Sequence, residues 1–288
     1  MEIKINEKPV DITLESEKTI GDVLTGIEKW ISESGHRLTS FYINGKSVLL
    51  SEIENVFKKD ISDVLTLEVY TSSVTQLTEQ SLINLLSDID QFEKLSYDEK
   101  TKFYNNWNES AQANFILSQI PDLFSLCVNT FINGDVSSGT LRSIIDERIR
   151  ELKYPADEFK KSQQLVTDIC IRLVDLPLDI QTGKDEQAAR TIQIFSGVTE
   201  KIIRIYSQLS LQGYLGEINE NDSEILKQIN EYNLLLKDLL SAYEKHDSIL
   251  IGDLAEYEAA PKLTNLYQAI LDKIIKPAAS GDEDAGGK

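Results

Sequence analysis

Apolar positions Ile225, Ile229, Tyr232, Leu236, Leu239 and Tyr243 step by four, three, four, three and four. That spacing holds them on one face of a helix over 224–243, a face that is stable only when another element covers it. The same rhythm recurs on both sides. Phe159, Val166, Ile169, Leu173, Leu176 and Ile180 share a face that Gly183 ends, and Ala188, Ile192, Phe195, Val198, Ile202, Ile205 and Leu209 share the next. A loop is expected over 211–221, then a cap from Asn221 with Glu224. A last helix is predicted from about 248 to 275, with Leu263, Leu266, Ile270 and Ile274 inward. Four long helices joined by short turns predict an antiparallel up-down bundle over 156–276. Pro177 and Pro261 fall inside two of these helices, where each removes an N–H and a kink or break is expected.

Upstream, 73–155 reads as a helical subdomain. Leu77 and Thr78 have the character of a staple and cap for a stripe of Leu82, Leu85, Leu86, Ile89 and Phe92. Ser96 with Glu99 forms a capping box for a helix running through Phe103 and Trp107 toward Phe115. Pro121 restarts the chain, Asn133-Gly134-Asp135 is a turn, and Leu141, Ile144, Ile145, Ile149 and Leu152 mark a helix that ends before Pro155.

The first 72 residues follow another period. Ile3 and Ile5, then Val10, Ile12 and Leu14, alternate with polar neighbours and predict two strands. Thr19 can cap a helix carrying Ile20, Val23, Leu24, Ile27 and Ile31, and Gly35 stands where a left-handed residue ends it. A strand over 38–43, a type I′ turn at Asn44-Gly45, a partner strand over 46–49, a helical turn near 51–57 and a last strand through Leu65, Leu67 and Val69 complete the unit. The opening MEIKI, the TIGDVLTGIEKWI helix, the FYINGKSVL hairpin and the closing LTLEVY strand, in that order, resemble a ubiquitin-like β-grasp domain. The resemblance covers a quarter of the chain and rests on element order. It implies a recognition or scaffolding module that meets partner proteins through the open face of its sheet. A conjugated modifier is not implied, because the last strand runs on into Thr71-Ser72-Ser73 without a free Gly-Gly end.

The expected fold is α+β: a ubiquitin-like β-grasp domain over 1–72, the helical subdomain over 73–155, the bundle over 156–276 and an acidic tail over 277–288 (PAASGDEDAGGK), expected to be disordered.

Charge and chemistry narrow the function. The 288 residues carry a formal net charge of −19, so long-range repulsion opposes nucleic acid and anionic membrane surfaces. MEIKINEKPV has no apolar signal core and no run reaches the roughly 18 apolar residues of a membrane span, which points to a cytoplasmic protein. Cys127 and Cys170 lie within apolar helical patterns and read as buried thiols, and His36 and His246 have no partner for acid–base work. Thr182-Gly183-Lys184 lacks the strand and glycine of a phosphate loop and reads as a turn. No catalytic residue, cofactor or metal ion is expected.

Candidate contacts are therefore for proteins. Trp30 and Tyr42 are large aromatics suited to anchor an interface on the first unit. On the last helix Leu250, Leu254 and Tyr257 are spaced four and three, with Asp253, Glu256 and Glu258 around them. Small Gly252, Ala255, Ala259 and Ala260 allow close approach. A helix of this kind, kinked at Pro261, can leave a groove for a partner's helix. The stretch is similar in character, though not in any motif, to the acidic helical bundles of bacterial flagellar and secretion chaperones. The expected function is a non-enzymatic interaction protein acting as adaptor, scaffold or assembly factor. The alternatives are a cytoplasmic chaperone holding a flagellar or secreted substrate in a bundle groove, and an enzyme with a site assembled from scattered residues. Protein partners are expected, a homo-oligomer is compatible with the pattern, and no nucleic acid or membrane is expected.

Overall fold

A computed structural model describes residues 1–14, 17–215, 220–245 and 247–274, with the side chains of Leu50 and residues 220–224 excepted. The chain divides into two compact units, Met1–Asp146 and Glu147–Lys288. The first opens with a mixed five-stranded sheet and continues as helices; the second is helical.

In the first unit, β1 (Glu2–Ile5) pairs in parallel with β5 (Thr66–Ser73), and β5 pairs antiparallel with β3 (His36–Ile43). The short strands β2 (Lys8–Pro9) and β4 (Lys46–Ser47) complete the order β2-β1-β5-β3-β4. Alternation sends Ile3, Phe41, Ile43, Leu67 and Val69 to one face, where they meet Ile20, Val23, Leu24, Ile27 and Ile31 of α1 (Ile20–Glu33). Thr19 and Asp22 close a capping box at the start of α1. Asn44 and Gly45 both take positive φ, 49° and 75°, as a type I′ turn requires. The Asn44 side chain also accepts the amides of Leu65 and Thr66 at 2.8 and 3.0 Å. Two expected strands are shorter than their alternation suggests. Pro9 cannot donate to a ladder, so the second strand ends there and Ile12 and Leu14 lean on the core from irregular chain. After Ser47 the chain turns into a 3₁₀ segment, Leu50–Glu52, and α2 (Ile53–Phe57).

β5 passes directly into α3 (Val74–Glu93). The helix begins at Val74, with Ser73 and Gln76 as its capping box, and Thr78, expected as the cap, is buried within the helix instead. Ser96 and Glu99 cap α4 (Tyr97–Asn108) as expected, but Ser110 starts a new helix, α5 (Ala111–Gln119), where one continuous helix toward Phe115 was predicted. Pro121 opens α6 (Pro121–Val128), a π turn follows over Asn129–Asn133, and Gly134 reverses the chain at φ 70°. Phe92, Phe103, Trp107, Phe124 and Phe131 form an aromatic cluster here, with neighbouring centroids 4.8–5.7 Å apart.

The helix α7 (Ser138–Lys153) spans the boundary between units. The second unit's core lies among α8 (Pro155–Lys161), α9 (Gln163–Gln181), α10 (Asp185–Leu211), α11 (Glu220–Glu244) and a run made of α12 (Ser248–Asp253), a π turn (Leu254–Ala259) and α13 (Ala260–Lys273). The predicted helix from Phe159 to Ile180 is in fact two, parted at buried Ser162, whose hydroxyl donates to the Glu158 carbonyl at 2.9 Å. Helix α9 runs through Pro177 without a break, and Gly183 ends it at φ 73°. Buried Glu151 takes both arms of the Arg204 guanidinium, at 2.6 and 2.9 Å, and Lys201 bonds Glu147, tying the end of α7 to α10. The expected cap at Asn221 with Glu224 and the expected disordered tail over 277–288 lie outside the described residues.

Candidate protein-docking cleft

Helix α9 is apolar on two faces. Val166, Ile169, Leu173 and Leu176 are buried in the core. Ile171, Val174 and Leu178, spaced three and four, point outward with 58%, 50% and 59% of their surface exposed. A soluble helix needs one apolar face for its own core, so a second aliphatic row left in water marks a surface of interest.

The run from α12 to α13 lies against α9 in antiparallel register. Gly252 abuts Pro177, Cys170 meets Ala260 and Thr264, and Tyr267 stacks on Phe159 with centroids 4.8 Å apart. Tyr267 also donates its hydroxyl to the Phe159 carbonyl at 3.0 Å. Between the two lies a cleft of about 520 Å³, floored by Val166 and Cys170 and walled by Ile171 and Val174 on one side and Glu256, Pro261 and Thr264 on the other. The Cys170 thiol donates to the Ala260 carbonyl at 3.5 Å; burial raises its pKa against the opposing hydrogen bond to Thr264. The π turn absorbs the lost amide of Pro261: the wider turn replaces the ladder that the proline interrupts, and the helix continues.

The candidate contacts of this run fall in different settings. Leu250 and Tyr257 are exposed, as is Asp253, and Glu256 sits half-buried on the rim of the cleft. Glu258 is engaged by Lys262 at 2.8 Å. Leu254, expected in one row with Leu250 and Tyr257, is buried in the core at the first residue of the π turn; it is not a surface contact. The charge of Glu256, then its hydrogen bond, raises the Tyr257 pKa, with burial and Asp253 adding less.

The two aromatics of the first unit are not brought together. Trp30, 57% exposed, edges a separate cleft of about 380 Å³ beside α1, with Ile12, Leu14 and Gly26. Tyr42 alternates to the opposite face of the sheet, where its ring meets Tyr70 edge-on at 5.5 Å. Sequence reasoning missed Ile171, Val174 and Leu178. Their signal was present as a second helical stripe in DICIRLVDLPLDI, beside the one assigned to the core.

A more polar hollow of about 780 Å³ surrounds the α9–α10 turn, but its buried acid, Asp179, is satisfied by Lys184 at 3.1 Å. Among the described residues no three His, Cys, Asp or Glu side chains converge as a metal site, and no helix is long and apolar enough to cross a membrane.

Residues 1–73 match the family model described as the TP0873 N-terminal domain, and residues 157–269 match one described as a domain of unknown function (DUF8042). The first match ends at the last residue of β5, and the second runs from within α8 through most of α13. The chain is also similar to an uncharacterized protein of Treponema pallidum (strain Nichols), 23% identical over 271 residues that cover 94% of this chain and 96% of that one. No solved structure matches.

Proposed function

We propose that the protein is a non-enzymatic, cytoplasmic interaction protein, an adaptor, scaffold or assembly factor, built from a ubiquitin-like β-grasp module and a helical bundle. The observation that carries this reading is the exposed aliphatic row Ile171, Val174 and Leu178, whose first two members line an open cleft, since apolar surface of this kind is a mark of protein contact. The ubiquitin-like assignment draws on the strand order β2-β1-β5-β3-β4, with the first and last strands parallel at its centre and one helix across one face. A narrower reading, a chaperone that shelters an exported substrate, draws on the same cleft. Crosslinking in cells followed by purification of the full chain tests the proposal. The same protein partner should return in replicate, and a chain that recovers no reproducible protein overturns it.

A further inference from the structure

We infer that the cleft between α9 and the Ser248–Lys273 run takes one amphipathic helix of a partner protein, with an apolar stripe flanked by Lys and Arg. The inference rests on the interaction reading above and specifies its partner.

The geometry suits a helix. Gln163, Thr167, Ile171 and Val174 line the cleft at steps of four, four and three, so their row spans about 17 Å at 1.5 Å per residue, some three turns of an incoming helix. Anchors at such spacing are how a helix is read in a groove. Across the cleft, Pro261 and Ala260 present a low wall without long side chains.

The charge selects the partner's sign. Asp168 and Asp175 are exposed on α9, Glu256 lines the cleft, and Asp253 is exposed one turn before it. Against them, α9 carries a single base, Arg172, and Lys262 is held by Glu258. A basic flank therefore gains where an acidic one is repelled. A second copy of this chain, at −19, brings the wrong sign, and so does the chain's own end, with Asp282, Glu283 and Asp284.

The test uses the full chain and an 18-residue fluorescein-labelled helical peptide of Leu and Lys, with a Leu and Glu twin, read by fluorescence anisotropy. The Lys peptide should bind, the Glu twin should not, and I171E/V174E should weaken binding by roughly tenfold or more. L234E, placed on an exposed leucine of α11, should leave binding unchanged. Without any substitution, saturating Lys peptide should slow alkylation of Cys170, which lines the cleft, and this readout stands even if the double variant fails to fold. Equal affinity for the wild type and I171E/V174E, equal binding of the Glu twin, unslowed Cys170, or no binding at all overturns the inference. So does a dimer in sedimentation that I171E/V174E abolishes, which would assign the cleft to a second copy. The two readings fail separately: a partner recovered in cells with no peptide binding leaves the interaction reading standing, and the converse leaves the cleft.

Discussion

The Tyr232 hydroxyl lies 2.8 Å from the Thr199 hydroxyl, and Thr199 spends its own proton on the Phe195 carbonyl, also at 2.8 Å. Tyr232 is therefore the donor, and the pair joins α11 to α10 where both side chains are buried. The two halves of this contact differ in what their loss leaves behind. Tyr232→Phe removes one bond and orphans nothing, because Thr199 keeps Phe195, so it should cost about 1 kcal/mol. Thr199→Val strands the buried hydroxyl of Tyr232 and should cost about 2–3 kcal/mol. Urea unfolding of the two variants at equal slope checks the order.

Gly252 sits so close to Pro177 that a Cβ there would lie 3.1 Å from the proline Cβ and 3.3 Å from its Cγ. The proline ring cannot swing away. Gly252→Ala should therefore lose stability despite the gain of roughly 1 kcal/mol in helix propensity. In a Pro177→Gly background both the Cβ and the Cγ are gone, and the same substitution should become neutral or stabilising. Thermal melts of the four proteins give the coupling directly.

Acid should loosen the tie between α7 and α10. Burial raises the Glu147 pKa, but the Lys201 hydrogen bond and the charges of Lys201, Arg204 and Arg148 outweigh it, so the carboxyl titrates below its usual range. A carboxylate depressed in the fold contributes stability that is present above its unfolded value of about 4.3 and is lost as pH falls through the lower folded value. Melting temperature should drop through that acid window in the wild type. Glu147→Gln should melt lower at pH 7 and lose less on acidification.

The two thiols should separate by accessibility. Burial, then the charge of Asp88, pushes the Cys127 thiol up to about 12, while Cys170 is only partly buried in the cleft. At pH 8 an aromatic disulfide reagent should modify Cys170 in the folded chain and reach Cys127 only in denaturant. Fast labelling of both in native buffer would contradict this placement.

Much of the fold is written in local chemistry. Thr19 with Asp22, Ser96 with Glu99, Asn44-Gly45 and Gly183 mark starts and stops that need only a few neighbouring residues, and each stands where its pattern puts it. What misleads is context. Thr71-Ser72-Ser73 reads as a polar connection, yet those residues pair with Leu38, Arg37 and His36 as the end of β5, and Ser73 then caps α3. Gly21 shows nothing in sequence of its role, although a Cβ there would lie 2.7 Å from the Phe57 ring and 2.9 Å from its carbonyl. The candidate cleft was legible at one residue. Of the candidate contacts on the last helix only Glu256 lines it, and the opposite wall depends on which of two apolar faces of α9 finds cover, a tertiary outcome that periodicity does not encode.

The π turn at Leu254–Ala259 has a genealogical side. A helix takes that shape when it holds one residue more than its ends demand, as an insertion would leave it. Upstream Ile251 and downstream Leu263, Leu266 and Ile270 all reach the core with the surplus in place. Deleting the one surplus residue should therefore relax the π turn to an ordinary α turn and leave Ile251 and the downstream row on the core, whereas adding one more would turn everything beyond it by about 100°. Chain length at this point thus has one residue to spare and none to add, an asymmetry that no scan of substitutions would detect.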